Sequence, residues 1–261
     1  MMDEGVLEGI KGVFLDLDGT LVIGEKLIPG ADVFVAECRK IGVHVTFISN
    51  NSSRSVTQYV DKMLRLGIEA SGEEILLSTH DLIAHLKDEE IRACWLIGTE
   101  GMRRMLEDAE IATREHSSEW VVIGYDTELT YAKLATGCAM LNRGAGLIAS
   151  HPDLVCPSND GDLPDVGAML KMIEATTGVG ATVITGKPRA DMLIGRMNEL
   201  GLAPEQCAMI GDRIYTDMAM AKAAGVHSIL VLSGEARREE VQLMDEEERP
   251  DVVVNSVKDL F

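Results

Sequence analysis

Positive charge is scarce in this sequence: 24 Lys and Arg stand against 43 Asp and Glu, a formal net charge of −19. A chain that grips a phosphate backbone needs the opposite balance, so nucleic acid is not an expected partner. A small anion remains an acceptable ligand, because a bound divalent cation and a few aimed donors set the local field whatever the net charge. Cysteine is sparse as well. Cys38, Cys94, Cys138, Cys156 and Cys207 are odd in number and scattered, with no C-x-x-C pair to suggest zinc and no readable disulfide framework. Reduced thiols in the cytoplasm are the expectation. No apolar run approaches the roughly 18 residues of a membrane-spanning helix. The start, Met-Met-Asp-Glu-Gly, is acidic where a signal peptide is basic, so neither export nor membrane insertion is expected. Fixed-period repeats and low-complexity tracts are absent too.

What is present is a hydrophobic fraction of 46%, enough to build a core in one large or two modest domains. Short β-branched runs alternate with stretches of helical period, the pattern of βα units on a parallel sheet. Residues 12–17 and 43–49 read as strands. Pro29 and Gly30 open a helix between them, with Val33, Phe34 and Ala36 expected on its apolar face. Residues 55–66 read as an amphipathic helix stopped by Gly67 in the C′ position. The pattern restarts near Ser71: strands are expected at 92–98, 120–124 and 146–150, with helices at 102–107 and 131–141. A long loop rich in Pro, Asp, Asn and Gly follows over 151–164, then a helix over 166–177. Strands at 182–185, 207–210, 227–232 and 251–254 are expected to rejoin the first sheet. The charged stretch 235–249 reads as a solvated helix face.

The strongest chemical signal is Val13-Phe14-Leu15-Asp16-Leu17-Asp18-Gly19-Thr20, where two acids interrupt an otherwise buried strand. Side chains at i and i+2 share one side of a strand, so Asp16 and Asp18 can converge at its carboxyl end, where open α/β sheets bind ligands. Taken alone, the same spacing also fits two acids closing a strand in a turn. Three later segments strengthen the chemical reading. Phe47-Ile48-Ser49-Asn50-Asn51-Ser52-Ser53 puts hydroxyls and amides at a strand end, as donors to phosphate oxygens or as an ordinary polar cap. Ile184-Thr185-Gly186-Lys187-Pro188 ends a strand with a cation suited to phosphoryl oxygens. Met209-Ile210-Gly211-Asp212-Arg213, with Thr216-Asp217 after it, brings more acids to a strand end.

In this order, the four segments resemble the motifs of the haloacid dehalogenase superfamily of phosphatases. The long insertion, Asn50-Asn51-Ser52-Ser53 and Ser150-His151-Pro152-Asp153 are similar to the NagD and p-nitrophenylphosphatase-like branch, whose cap is an α/β domain. The resemblance spans nearly the whole chain. It implies an α/β fold, a doubly wound Rossmann-like parallel sheet with an inserted α/β cap, the core at 1–80 and 181–261 and the cap at 81–180. It implies a phosphomonoesterase with Asp16 as nucleophile and Mg²⁺ ligand, Asp18 as general acid and then base, and Asp212 as a further ligand. The resemblance also implies that Asp18 counts with the metal set, that Asp217 supports the metal from behind, and that Gly19, Ser49, Asn50 and Lys187 hold the phosphate. The chemistry agrees, because an aspartate can carry a phosphoryl group while Mg²⁺ and a lysine offset its charge. Residue spacing by itself does not say which aspartate does which.

Cap residues are expected to choose the substrate, with Asn159, Asp162 and Asp165 in the acidic loop as candidates. The substrate class is a small phosphorylated metabolite: a sugar phosphate, a nucleoside monophosphate or a phospho-acid. A homodimer through the cap is the expected assembly. Gly144-Ala145-Gly146-Leu147-Ile148-Ala149 runs from helix to strand, the reverse of a dinucleotide site, and Gly186-Lys187 lacks the rest of a P-loop. His80, His85, Trp95 and Trp120 read as packing residues, and Arg54 and Arg189 as solvated helix-start residues. Two other functions use the same fold, a phospho-aspartate signalling receiver and a catalytically silent scaffold. Phosphate turnover separates both from a phosphatase.

Overall fold

The chain forms two compact units in a computed structural model that describes residues 5–158 and 161–260. One unit comprises residues 1–49, 60–76 and 187–261, and the other 50–59 and 77–186.

The first unit is built on a six-stranded parallel sheet in the order Val252–Val254, His227–Val231, Cys207–Gly211, Gly12–Asp16, His44–Ser49, Ile75–Leu77. Gly12–Asp16 lies at the centre, paired in register with Cys207 on one side and His44 on the other, and all five of its residues are buried. A strand covered on both faces must be apolar throughout, which is why the sequence there is a continuous hydrophobic run until the acids begin. Phe14, Ile48 and Met209 pack with Met192, Leu193 and Met197 of the Asp191–Leu200 helix and with Met220, Ala221 and Ala224 of Ala219–Ala224.

Several elements differ from expectation. In the Ala31–Lys40 helix the buried stripe is Ala31, Phe34, Val35 and Cys38, while Val33 and Ala36 are exposed. The spacing i, i+3, i+4, i+7 selects that stripe, and 33 and 36 fall off it. The Val56–Arg65 helix ends as expected, with Gly67 at φ +88°. Ile75–Leu77 adds an edge strand that the sequence pattern does not announce, since three residues are too few to show a period. In 235–249 only Arg238–Leu243 is α-helical, with a 3-10 turn at Glu246–Glu248.

The second unit carries a parallel sheet in the order Val183–Ile184, Gly146–Ala149, Trp120–Ile123, Trp95–Ile97. Alternate residues of its strands feed two separate cores. Ile97, Val121, Ile123, Leu147 and Ala149 meet Met140, Leu141, Val166, Met169 and Ile173. Leu96, Val122 and Ile148 meet Leu82, Leu86, Met102 and Leu106. Helices Tyr131–Leu141 and Val166–Thr177 thus cover one face, and Ser78–Asp88 and Glu100–Asp108 the other. The strand expected over 182–185 does not rejoin the first sheet: Val183 and Ile184 pair with Ile148 and Ala149. Within the segment expected as loop, Val155–Cys156 and Leu163–Pro164 form a short antiparallel pair. No helix among the described residues is long and apolar enough to cross a membrane.

Candidate active site

The central strand of the first unit ends at Asp16, whose carboxylate is buried at the carboxyl edge of the sheet. The neighbouring Cys207–Gly211 strand delivers Asp212, and one irregular turn of Ile214–Met218 delivers Asp217. That turn has π-type hydrogen bonding, a local distortion often found at functional sites. One carboxylate oxygen from each of Asp16, Asp212 and Asp217 lies within 4.8 Å of the others. Lys187 reaches into the group, bonding Asp16 Oδ1 and donating to Asp217 Oδ1 at 2.7 Å.

Close approach at this site depends on missing side chains. Gly19 has φ +96°, and a Cβ there would lie 2.2 Å from Asp212 Oδ2. A Cβ on Gly234 would come within 1.9 Å of the same oxygen. No other residue type fits either position without displacing Asp212.

The electrostatics follow from burial. Three carboxylates against one ammonium leave two formal negative charges in a space hidden from water. Burial pushes the Asp16 carboxyl well above its ordinary range; Lys187 opposes this, while Asp217 and Asp212 add to it. Burial opposes the Lys187 charge too, yet Asp16 and Asp217 outweigh it and hold the ammonium above its usual range. Burial and the neighbouring Asp217 push Asp212 up to about 7.

Hydrogen bonds distinguish the three acids. Asp217 Oδ1 accepts from Lys187 and its Oδ2 from the Arg213 backbone N–H at 3.1 Å. Asp212 Oδ2 accepts from the Glu235 backbone N–H at 2.7 Å, whereas its Oδ1 is buried with no hydrogen-bond partner among the described residues. A buried carboxylate oxygen left unsatisfied is expensive unless something binds it. Two excess negative charges, oxygen donors and an orphaned oxygen together fit a divalent cation.

The sequence-derived residues divide between the two units. Asp16, Lys187, Asp212 and Asp217 come together in the first, and Asp217 stands inside the acidic trio, not only behind it. Asp18 is left outside. The strand ends at Asp16, so the alternation that would align the two acids stops there. The Asp18 side chain is 43% exposed and pairs with Lys62 at 3.5 Å. Ser49 is buried at the end of the His44–Ser49 strand, next to the central one.

Asn50 belongs to the second unit, where its amide donates to the Asp153 carboxylate at 3.2 and 3.3 Å. Asp165 departs from the role of an open loop acid. It is buried, accepts from the Val166 backbone N–H at 2.6 Å as the N-cap of its helix, and lies 2.9 Å from His151 Nε2. Asp162 is exposed. Asn159 lies outside the described residues. Lys62 was not anticipated. Its one sequence signal is a basic residue at a core-facing position of an amphipathic helix, beside Tyr59 and Met63.

Comparison with known proteins agrees over the length of the chain. A family model described as haloacid dehalogenase-like hydrolase matches residues 13–112, and a second, HAD-hydrolase-like, matches 184–260. The 5'-nucleotidase YutF of Bacillus subtilis is 32% identical over 95% of this chain and 96% of its own. The sugar-phosphatase AraL of the same organism is 33% identical over 95% and 91%. A 4-nitrophenylphosphatase structure from Thermotoga maritima superposes with a TM-score of 0.91 at 33% identity, covering 98% of this chain and 97% of that one.

Proposed function

This chain belongs to the haloacid dehalogenase-like hydrolases, in their NagD and p-nitrophenylphosphatase-like branch, and we propose that it is a phosphomonoesterase whose nucleophile is Asp16. The observation that carries the assignment is the buried group Asp16, Asp212, Asp217 and Lys187 at the carboxyl edge of the sheet. Its substrate is a small phosphorylated metabolite, the class to which 5'-nucleotides and sugar phosphates both belong.

In the first step an Asp16 oxygen attacks phosphorus, the ester P–O bond breaks, and a protonated Asp18 gives its proton to the departing alkoxide. In the second, Asp18 as carboxylate takes a proton from water as that water attacks phosphorus. The Asp16–phosphorus bond then breaks and inorganic phosphate leaves. Lys187 supplies positive charge to the equatorial oxygens, and Gly19, Ser49 and Asn50 belong with it in phosphate binding. Asp16 and Asp212 would hold magnesium, with Asp217 supporting them. The ion supplies charge neutralisation for the attacking carboxylate and the phosphoryl group. The half-exposed position of Asp18 suits a group that exchanges protons with an alcohol and then with water.

Substrate choice is assigned to the acidic loop of the second unit through Asn159 and Asp162, with Asp165 acting through the packing of that loop. The five free cysteines fit a reducing, cytoplasmic setting.

The test is phosphate release from p-nitrophenyl phosphate and a panel of sugar and nucleoside phosphates, with and without magnesium, for the wild type and Asp16→Asn. Magnesium-dependent turnover that the variant loses is the expected result. A phosphoryl group held without turnover would instead make the chain a receiver, and a folded chain that neither binds nor hydrolyses any ester would make it a scaffold.

A further inference from the structure

An ammonium group occupies a position where the helix pattern calls for an apolar residue. The Val56–Arg65 helix buries Tyr59, Lys62 and Met63, the i, i+3, i+4 set of a core-facing stripe. The Lys62 side chain is only 8% exposed. Lysine rarely goes this deep without a partner, because a buried charge must be compensated. Among the described residues its one ionic partner is Asp18, with Nζ 3.5 Å from Oδ1.

Asp18 in turn has little else to direct it. The backbone around it is tied by Gly19 N–H to Val22 O at 2.7 Å and by Leu21 N–H to Leu17 O at 2.9 Å, but those bonds fix the main chain and not the carboxylate. Asp18 lies outside the acidic trio and 43% of its side chain is open to solvent. A short carboxylate in that setting samples several rotamers unless a fixed charge selects one. Lys62, itself buried on the core-facing stripe of its helix, is such a charge.

We infer that Lys62 is a positioning residue for the general acid: it fixes the Asp18 carboxyl group where it can protonate the leaving oxygen. The inference rests on the phosphatase reading above. It makes a distinctive prediction, because the proton matters only when the leaving group is poor. A p-nitrophenolate departs without one, whereas an alkoxide does not. The parameter kcat/KM reports phosphoryl transfer to Asp16, so a misplaced acid steepens its dependence on leaving-group basicity.

The experiment compares kcat/KM for p-nitrophenyl phosphate and for an alkyl phosphate such as glycerol phosphate, across the wild type, Lys62→Met, Lys62→Gln, Lys62→Arg and Asp18→Asn, each checked for thermal melting. Lys62→Met is expected to lower the alkyl phosphate value by about tenfold or more while changing the p-nitrophenyl value by less than about threefold, a share of the roughly 10²–10⁴ that acid catalysis provides. Arginine should recover most of the loss, and Asp18→Asn, followed in the single-turnover phosphorylation step that precedes its role as base, should discriminate between the two esters more strongly. Should methionine fold poorly, glutamine provides the same reading with a neutral polar side chain. Equal losses on both substrates, or no loss while Asp18→Asn discriminates between them, would overturn the role of Lys62. An Asp18→Asn variant without discrimination would overturn the acid role itself, and with it the inference. A wild type inert on both esters would remove the phosphatase reading first.

Discussion

Both compact units bury aspartates, and they treat them in opposite ways. In the second unit a chain of polar groups runs from the Tyr125 backbone N–H to Ser52 Oγ, then Ser150 Oγ, His151 and Asp165, with steps of 2.8, 3.0, 2.8 and 2.9 Å. It ends on the Val166 N–H, so its donors and acceptors find partners at every link. In the first unit Asp16, Asp212 and Asp217 crowd together with one lysine, and Asp212 Oδ1 has no hydrogen-bond partner among the described residues. A satisfied network rigidifies a fold; an unsatisfied one is tolerated where a ligand is to complete it. Residues of similar type and burial therefore predict opposite results on mutation.

The largest effect should come from Lys187→Met, which strips the buried ammonium from the acidic trio. Phosphatase activity should fall at least about a hundredfold, and the metal-free protein should lose about 3–5 kcal/mol of stability, the usual result of breaking a buried pair from one side. Urea melts in chelator with activity assays in parallel check both arms, and unchanged stability would show that the carboxylates do not depend on it.

Next, Asp165→Ala removes a helix cap and leaves His151 without its acceptor. A loss of about 1–3 kcal/mol is expected in thermal or urea unfolding. Stability equal to the wild type would return Asp165 to direct contact with substrate.

Asp212→Asn should do the reverse, raising metal-free stability by about 1–3 kcal/mol at pH 8 while abolishing magnesium-dependent turnover. The sign follows from its carboxyl being pushed up to about 7 in the folded chain, above its ordinary value. Such a group contributes its full stability at pH below the unfolded value, and that contribution is lost as pH rises through about 7. The stability gap between variant and wild type should therefore widen from pH 4 to pH 8 in chelator. Magnesium should close it, stabilising the wild type more at pH 8 than at pH 5, because ligands must lose protons to bind. A gap that is flat with pH would break the contrast between the units.

The smallest change should come from Asp162→Ala, an exposed residue of the acidic loop. Stability should stay within about 0.5 kcal/mol. Only relative rates across a panel of phosphate esters should move, and identical ratios would exclude Asp162 from substrate choice.

Much of this was legible in one dimension. A buried parallel strand needs an unbroken apolar run, so Asp16 stood out as an expensive acid at its end, and the later segments holding Lys187 and Asp212 marked the ends of further strands. Element types followed from hydrophobic period, while the two-core packing of the second sheet was visible only in the folded chain. Three-dimensional placement decided the remainder. Val183–Ile184 carries no local sign of which sheet it joins, because strand pairing is set by partners distant in sequence. Asp18 leaves the trio because the chain turns after Asp16, and Asp217 enters it through an irregular turn with no periodic signature. The burial of Asp165 and the pairing of Lys62 with Asp18 depend on what packs against each side chain. Local sequence specifies which residues can do chemistry; desolvation and proximity, which exist only once the chain has folded, decide which of them share a site.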